Sequence, residues 1–446
     1  MRYWGRGSDS KKEAKTEMRF ITITLAVLVA SIFFLSLASI GVEAFCKGTS
    51  NRHGIIPETP MLVSKTANGK LFLAGSQETG IPVVHLYGTP YQMGLAHGTL
   101  LKDKIQFAYK EYIAYFVAGA ESLPLPEWQK ILIKFGGINT VLDGVVNKMK
   151  PHIPQHYLDE MKGLADGSGI TEQEVLRFHM IPELIRASCS MMGAWNDASP
   201  SGGLVQLRAL DWDYQSPLTL VPAIFVYHPT EGGHEFTTVS WAGFIGSLTG
   251  YSGHMGVSEK VWSNYNGTFS EAGTPFYFVM RDILQFDITI DEAINRIQYT
   301  QRTCAVYMGI GANITNQFVA VEYSHDYVQV FDDITPFPIY SPQYAPHELF
   351  EGVVYIDPDY ASAQTQCFTK QIKKYYGYIT STTIQQMTSV MQTGNLHAAI
   401  YDYQNNILTV GYASPNVTWP LTVNPIPAYA RGMIELDVTA LFNEQY

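Results

Sequence analysis

Residues 186–196 read RASCSMMGAWN, with Cys189 directly after a small residue, Ser188. About twenty residues later an Arg-x-x-Asp pattern follows, formed by Arg208 and Asp211. A thiol needs a base or a positive neighbour to react near neutral pH, and a free α-amino group, whose pKa is about 8, can be that base. The pattern therefore predicts that the chain cuts itself between Ser188 and Cys189, which leaves Cys189 as an N-terminal nucleophile.

Arg208 and Asp211 are the expected partners of this nucleophile. We expect Arg208 to hold the thiolate by its charge and Asp211 to orient the new ammonium group. Residues three apart on a strand point to opposite faces, so one of the two must lie at a strand end. The sequence LDWD of residues 210–213 is typical of such an exit. Cys189, Arg208 and Asp211 are therefore the predicted catalytic residues.

The composition of the chain is that of a globular protein with a sizeable core. Of its 446 residues, 46% are hydrophobic and 15% are charged. The formal net charge is −11; residues 1–44 carry +2, so the remainder carries −13. Such an acidic body excludes nucleic acid as a partner, because phosphate backbones select basic surfaces. Since no Cys/His cluster has zinc-site spacing, we expect no metal and no cofactor.

The N-terminus is typical of a targeting segment. Six basic residues precede an uncharged apolar run from Phe20 to Val42, and Ala44 offers a small residue where a signal peptidase cuts. The run is also long enough to span a bilayer, so residues 1–44 are either a cleaved signal peptide or a retained signal anchor. Either way we expect the rest of the chain on the lumenal or extracellular side. It is then secreted, lysosomal or vesicular, or anchored as a type II membrane protein, with membrane contact only through this segment.

Three N-glycosylation sequons agree with this secretory route. They begin at Asn266, Asn313 and Asn416. We predict that these asparagines carry glycans.

Four cysteines limit the disulfides that can form. If Cys189 is a free nucleophile, at most one disulfide forms among Cys46, Cys304 and Cys367. We predict the pair Cys304–Cys367, since both residues lie in the expected core half of the chain.

The pattern of apolar residues changes at Cys189. Residues 89–187 repeat apolar positions at helical spacing, and a capping box formed by Thr171 and Glu174 is expected to begin one of the helices. After Cys189, alternating strand-like runs dominate, with two helical stretches between them. Strands, then helices, then strands again indicate stacked sheets covered by helices, not alternating βαβ units.

Four segments, in order along the chain, resemble one known family. They are YGTPYQMGLAHG at 87–98, YLDEMKGLADGSGI at 157–170, Cys189-Ser190 with the later Arg208-x-x-Asp211, and NLHAAIYD at 395–402. Together they resemble the acyl-coenzyme A:6-aminopenicillanic acid acyltransferases, self-cleaving members of the N-terminal nucleophile hydrolase superfamily. The Arg-x-x-Asp pattern also recurs in related amidases that act on bile salts, ceramide and N-acylethanolamines.

The resemblance implies an α+β fold, a four-layer αββα sandwich of the N-terminal nucleophile type with an N-terminal helical segment. Residues 45–188 would be a mainly helical pro-segment that becomes the α chain, and residues 189–446 the catalytic core, or β chain. The two chains would stay associated after the cut. The implied activity is hydrolysis or acyl transfer on a small or lipid-like N-acyl amide through a thioester on Cys189.

One departure from the family concerns the oxyanion hole. Members of the family carry a His-Thr-Asn-His stretch, whereas residues 340–344 here read YSPQY, without an asparagine. Loss of one oxyanion donor typically costs about 3 kcal/mol of transition-state stabilisation, so another amide is needed. Asn264, Asn266 and Gln343 are the candidates. His97 and His397, by contrast, are interpreted as structural, each bonded to a backbone carbonyl.

Three other functions fit parts of the pattern. A phospholipase B-like hydrolase would use the same nucleophile on esters. A degenerate, non-catalytic member of the family would act as a secreted or membrane-anchored binding protein, which the missing asparagine favours. A papain-like protease needs a glycine-cysteine-tryptophan context that this chain lacks.

Overall fold

The computed structural model of the protein describes residues 46, 48–76, 80–119, 127–184, 188–263, 265–338, 347–357, 366–414 and 417–446. The predicted targeting segment, residues 1–44, lies outside these described residues. Of the helices that fall within them, none is long and apolar enough to cross a bilayer.

The described strands divide into two large sheets, and almost all of their neighbours are antiparallel. In chain order the strands are β1 (Ile55–Pro57), β2 (Met61–Thr66), β3 (Gly69–Ala74), β4 (Ile81–Gly88), β5 (Ser188–Asn196), β6 (Gly202–Asp211), β7 (Pro222–Pro229), β8 (Phe236–Trp241), β9 (Thr249–Tyr251), β10 (Met255–Val261), β11 (Val306–Ala312), β12 (Gln317–Tyr323), β13 (Val328–Phe331), β14 (Val353–Ile356), β15 (His397–Asp402), β16 (Ile407–Tyr412) and β17 (Met433–Asp437). Sheet A has the order β1-β17-β16-β15-β6-β5-β14, and sheet B has the order β13-β12-β11-β10-β9-β8-β7-β4-β3-β2.

The helices lie between β4 and β5, between β10 and β11, and near the C-terminus. In chain order the described helices are α1 (Pro90–Leu100), α2 (Lys102–Ala118), α3 (Glu127–Leu132), α4 (Ile138–Met149), α5 (Gln155–Ser168), α6 (Glu172–Leu184), α7 (Phe276–Phe286), α8 (Ile290–Tyr299), α9 (Cys367–Tyr375), α10 (Ser381–Met391) and α11 (Val438–Phe442). A π-helical turn at Ile133–Gly137 joins α3 to α4.

The two sheets pack face to face with helices outside them. Strands β10 and β12 of sheet B contact β5 and β6 of sheet A. Helices α1, α7 and α8 pack on sheet B, and α10 packs on sheet A. The predicted four-layer αββα sandwich is therefore confirmed, and so is the helical segment that precedes Cys189.

Alternation along β5 places its side chains in two separate cores. Cys189 and Met191 are fully buried in the larger core, which fills the space between the sheets and continues under the helices of sheet B. Met192 and Ala194 are buried in a smaller core between sheet A and the helices α9 and α10. Because successive side chains of a strand point to opposite faces, the side chain of Cys189 points into the interior of the sandwich.

Two capping boxes begin helices at the positions that the sequence indicates. Thr89 accepts a hydrogen bond from the Gln92 backbone N–H, while the Gln92 side chain accepts from the Thr89 backbone N–H. Thr171 and Glu174 form the same reciprocal pair at the start of α6, with distances of 3.2 and 2.8 Å. Each box satisfies backbone N–H groups that a helix leaves without a partner at its start.

Glycines let α1 and α5 approach closely. A methyl group at Gly163 would lie 2.1 Å from the Tyr91 carbonyl oxygen, and one at Gly94 would lie 2.0 Å from the Glu160 carbonyl oxygen. Real carbon atoms do not approach so closely, so only glycine fits at these positions. The contact fixes α1, the helix that covers strands β3 and β4 of sheet B.

The part of the chain before Ser188 contributes strands to both sheets. Strand β4 pairs in parallel with β7, and β1 pairs in parallel with β17 at the edge of sheet A. Residues 45–188 are therefore not a separate layer, since strands from both sides of the predicted cut share the same hydrogen-bond ladders.

The predicted disulfide Cys304–Cys367 is wrong. Cys46 is bonded to Cys367, with 5.4 Å between their Cα atoms, and Cys304 is free. The physical reason is that the two thiols lie on opposite sides of sheet A. Cys367 begins α9 and is buried in the smaller core, whereas Cys304 packs against the larger core on the other side of sheet A.

Candidate active site

Cys189 and Arg208 meet in the interior between the sheets. Cys189 lies opposite Leu210 in the β5–β6 pair, and Arg208 lies opposite Met191, so both side chains point to the same face. Arg208 Nη2 donates to Cys189 Sγ at 3.6 Å. Burial raises the pKa of the Cys189 thiol to about 12, and the charge of Arg208 only partly opposes this. With so high a pKa the thiol is protonated near neutral pH and is a poor nucleophile.

Glu259 and His397 fix the guanidinium of Arg208. Glu259, on β10 of the opposite sheet, accepts from Arg208 through its carboxylate at 2.9 Å and through its backbone carbonyl at 3.2 Å. The two side chains of this ion pair are only 0% and 4% exposed. His397 Nε2 accepts from Arg208 Nη1. Burial and the positive charge of Arg208 lower the pKa of His397 well below its usual range, which keeps the ring neutral and able to accept.

The interpretation of the two histidines as bonded to backbone carbonyls is wrong. His97 Nε2 accepts from the Gly243 backbone N–H at 2.9 Å, and His397 accepts from a side chain. A neutral imidazole nitrogen that bears no proton can only accept, so a donor takes the place of the expected carbonyl.

Asp211 is the last residue of β6, as the strand-exit pattern predicts. Its carboxylate accepts from Thr393 Oγ1 at 2.6 Å, from the Gly394 backbone N–H at 2.8 Å and from the Asn395 backbone N–H at 3.2 Å. Burial raises the pKa of Asp211 to about 6, although these three hydrogen bonds and Arg208 oppose the rise. Asp211 pairs with Ser188 across the β5–β6 ladder, so the carboxylate lies beside the predicted cut.

Of the three residues predicted as oxyanion donors, only Asn266 belongs to the described part of the chain, and it is exposed to solvent. Asn264 and Gln343 lie outside the described residues, as does the predicted glycosylation site Asn416. Asn266 is described and exposed, in the loop after β10, as is Asn313 in the turn between β11 and β12. The exposure of the last two leaves room for a glycan on each.

Asn395 is a functional candidate to which the sequence pattern assigned no role. Its Oδ1 accepts from the Trp212 backbone N–H at 2.9 Å, and its own backbone N–H donates to Asp211. The first bond fixes which end of the amide is the acceptor, so the Nδ2 group is left as a donor at the strand end that carries Asp211. Its place in the motif NLHAAIYD is the signal by which it could have been found.

An apolar cavity adjoins Arg208 and Glu259. Its remaining lining is aliphatic or aromatic and comes from α2, α6, α7, both sheets and the loops between them. Those lining residues are Tyr112, Phe178, Ile181, Pro182, Leu210, Trp212, Leu218, Trp241, Phe244, Leu248, Val261, Phe276 and Leu396. Since Glu259 neutralises Arg208, the cavity suits an uncharged apolar group. Across the described ranges, no group of three or more His, Cys, Asp or Glu residues is placed to hold a metal ion.

Two proteins of Dictyostelium discoideum are similar to this chain over most of its length. Protein dcd1A is 43% identical over 443 residues, which cover 96% of this chain and 100% of dcd1A. Protein dcd1B is 43% identical over 403 residues, which cover 88% of this chain and 81% of dcd1B. No model of a protein family matches the chain.

More distant likenesses cover only part of the chain. Acid ceramidase of Rattus norvegicus is 22% identical over 206 residues, which cover 40% of this chain and 50% of the ceramidase. A solved structure of the Caenorhabditis elegans ortholog of N-acylethanolamine-hydrolyzing acid amidase is 16% identical, covers 48% of this chain and 93% of its own, and has a TM-score of 0.37.

Proposed function

This chain belongs to the family of the Dictyostelium proteins dcd1A and dcd1B, and we propose that it is a self-activating cysteine hydrolase or acyltransferase that acts on N-acyl amides. The resemblance of the sequence to the self-cleaving acyltransferases of the N-terminal nucleophile type supports this proposal. Its substrate would be a small or lipid-like amide, and its intermediate a thioester on Cys189.

One observation carries the proposal: Arg208 Nη2 lies 3.6 Å from Cys189 Sγ at the start of an inner strand. Asp211 lies at the end of the neighbouring strand, opposite Ser188. A cut before Cys189 would therefore place a new α-amino group between a thiol and a carboxylate. An amine with a pKa of about 8 is a suitable base for the thiol.

The first reaction would be the cut itself. Cys189 Sγ adds to the Ser188 carbonyl carbon, the bond from that carbon to the Cys189 nitrogen breaks, and the nitrogen takes the thiol proton. Water then hydrolyses the resulting thioester, which leaves a carboxylate on Ser188 and a free thiol and amine on Cys189. Before the cut Cys189 has no free α-amine to act as a base in an attack on a substrate, so the uncut chain would be inactive toward substrates.

Turnover would repeat this chemistry on an external amide. The α-amine of Cys189 takes the thiol proton, the thiolate adds to the acyl carbonyl, and the same amine returns the proton to the leaving nitrogen. We propose Asn395 Nδ2 as one donor to the tetrahedral oxyanion, with Asn264 and Gln343 kept as further candidates. Water or a second amine then takes the acyl group from the thioester.

The substrate class follows from the cavity and one distant relative. An uncharged apolar acyl group fits the apolar lining beside the Arg208–Glu259 pair. The name of the rat acid ceramidase says that it acts on ceramide, an N-acylated lipid, and this supports an amide over an ester.

We propose a secretory location, with two fragments that stay together. A disulfide is typical of an oxidising compartment, so Cys46–Cys367 supports the predicted signal peptide or anchor. Exposed Asn266 and Asn313 would accept glycans there. The shared ladders β4–β7 and β1–β17 would hold the α and β chains together after the cut.

The test is mass spectrometry and acyl release with a matched variant. Secreted wild-type protein is expected to contain a new N-terminus at Cys189, and Cys189→Ala is expected to stay uncut. Amide and ester lipids of equal chain length are then compared, with faster release of the amide acyl group expected. If the wild-type chain stays uncut and no acyl group is trapped on Cys189, the proposal is wrong and a binding protein is the better reading. Faster ester release would instead favour a phospholipase B-like enzyme.

A further inference from the structure

A chain of hydrogen bonds joins three side chains beside the proposed nucleophile. Ser190 Oγ lies 2.7 Å from Thr393 Oγ1, and Thr393 Oγ1 donates to Asp211 Oδ2 at 2.6 Å. Ser190 and Thr393 are fully buried. Buried polar side chains that are hydrogen-bonded to one another in this way form rigid, well-defined networks.

The charge of Asp211 sets the direction of these hydrogen bonds. An ionised carboxylate can only accept, so Thr393 must give its one proton to Asp211, and Ser190 must then donate to Thr393. If Asp211 is protonated, it can donate instead, and both hydroxyls can reverse. The Thr393 hydroxyl therefore responds directly to the protonation of Asp211.

The backbone after α10 fixes Asp211 from the same side. Thr393, Gly394 and Asn395 all donate to its carboxylate, two of them through backbone N–H groups. Among these donors only the Thr393 hydroxyl is a side chain, so it is the one that a substitution can remove without moving the backbone. Asp211 lies at the ladder position opposite Ser188, the residue that directly precedes Cys189.

We propose that Thr393 is a positioning residue, which holds the Asp211 carboxylate toward the α-amino group that the cut creates on Cys189. The inference rests on the proposed function, because it concerns the cut enzyme. In this role Thr393 helps to set the charge of Asp211, and that charge sets the basicity of the Cys189 amine.

The electrostatic surroundings of Asp211 support this role. The hydrogen bond from Thr393 lowers the pKa of Asp211, as do the Gly394 and Asn395 backbone N–H groups and the charge of Arg208. Burial is the main cause that raises the pKa of Cys189 and of Tyr429, and the negative charge of Asp211 adds to the rise in each. Loss of the Thr393 hydroxyl should therefore move the pKa of Asp211 further upward, since burial then acts with less opposition.

The experiment compares three threonine variants of the cut enzyme. Thr393→Val removes the hydroxyl at nearly constant volume, and Thr393→Ser keeps it. Thr409→Val is the matched control, because Thr409 is also fully buried in sheet A and its hydroxyl has no hydrogen-bond partner among the described residues. The pH profile of kcat/KM for acyl release is measured for each, and the Asp211 carboxyl is titrated by carbon NMR with Asp211→Asn to assign its signal.

We expect Thr393→Val to move both the acid limb of the kcat/KM profile and the titration of the Asp211 carboxyl to higher pH by about one unit. On the acid limb this shift lowers kcat/KM about tenfold. Thr393→Ser should restore both, and Thr409→Val should change neither. If Thr393→Val only lowers the melting temperature and leaves both titrations in place, Thr393 is structural and the inference is wrong. If Thr393→Val does not fold, unchanged titrations in a Thr393→Ala chain would overturn the inference in the same way. Failure of the proposed function is distinguishable, because wild-type protein would then show no cut at all.

Discussion

Cys46 is bonded to Cys367 across the proposed cut, since Cys46 precedes Ser188 and Cys367 follows Cys189. The cut enzyme should therefore run as one band on a non-reducing denaturing gel and as two fragments after reduction. The double variant Cys46→Ser/Cys367→Ser should give two bands without reductant, whereas Cys304→Ser should behave as wild type. Two bands from non-reduced wild-type protein would show that this disulfide is absent.

The thiol of Cys189 should be far less reactive before the cut than after it. Burial raises its pKa to about 12 in the uncut chain, and a nearby amine provides a base only once the cut is made. In a Cys304→Ser background, iodoacetamide should label uncut protein at least about 100-fold more slowly than cut protein at pH 7. Labelling is followed by intact mass. Equal rates in urea serve as the control, and equal rates in native buffer would contradict the prediction.

Removal of one partner of the Arg208–Glu259 ion pair should destabilise the protein strongly, whereas replacement of both partners by apolar residues should destabilise it little. Arg208→Met leaves the carboxylate of Glu259 buried without its ion-pair partner, so we expect a loss of about 3–5 kcal/mol in the free energy of unfolding. The double variant Arg208→Met/Glu259→Leu should recover most of this loss while remaining uncut and inactive. Urea denaturation of the two variants and of wild type measures the loss and its recovery. A double variant less stable than the single one would refute this account.

Asp211 should make the protein less stable as pH rises from 4 to 7. Burial raises its pKa from 3.8 to about 6, so the folded chain holds the proton more tightly than the unfolded chain between these values. Stability gained from that proton is complete below about pH 4 and is lost as pH rises through about 6. The difference in unfolding free energy between Cys189→Ala and Cys189→Ala/Asp211→Asn should change by at most about 3 kcal/mol over this range. Parallel pH curves for the two variants would argue against a raised pKa.

The close contact of α1 with α5 should not tolerate a single added methyl group. Gly163→Ala places a carbon 2.1 Å from the Tyr91 carbonyl oxygen, so we expect a loss of about 1–3 kcal/mol. Gly144, in α4, is exposed, and no atom of the described residues lies within 4 Å of the added carbon, so Gly144→Ala is the control. It should stabilise the helix by up to about 1 kcal/mol. The melting temperatures of the two variants test this prediction, and equal melting temperatures would contradict it.

The sequence pattern predicted the site residues that lie on neighbouring strands, but it missed the site residues that other parts of the chain contribute. Cys189, Arg208 and Asp211 lie on one hairpin, so their spacing and the alternation of strands were enough to place them. Glu259 lies on β10 of the other sheet, in a strand of mixed polar and apolar residues that shows no local sign of a buried charge. Thr393 reaches Asp211 only because α10 ends beside β6, a tertiary contact that no spacing rule describes.

The cysteine pairing failed for a similar reason. Both Cys304 and Cys367 lie in the second half of the chain, but sheet A separates them. Proximity in sequence carries little information about which thiols meet, because the connectivity of a disulfide depends on the finished fold. Only the structure shows that Cys46 lies next to α9, 321 residues later in the chain.

The cavity draws its walls from both sides of the proposed cut. Tyr112, Phe178 and Ile181 precede Ser188, whereas Arg208 and Glu259 follow it. The nucleophile thus lies in one fragment, whereas both fragments contribute to the cavity. Relatives could therefore differ in the acyl groups they accept partly through changes in α2 and α6, and a chimaera that exchanges residues 89–184 between two of them would be expected to shift substrate preference while keeping its nucleophile.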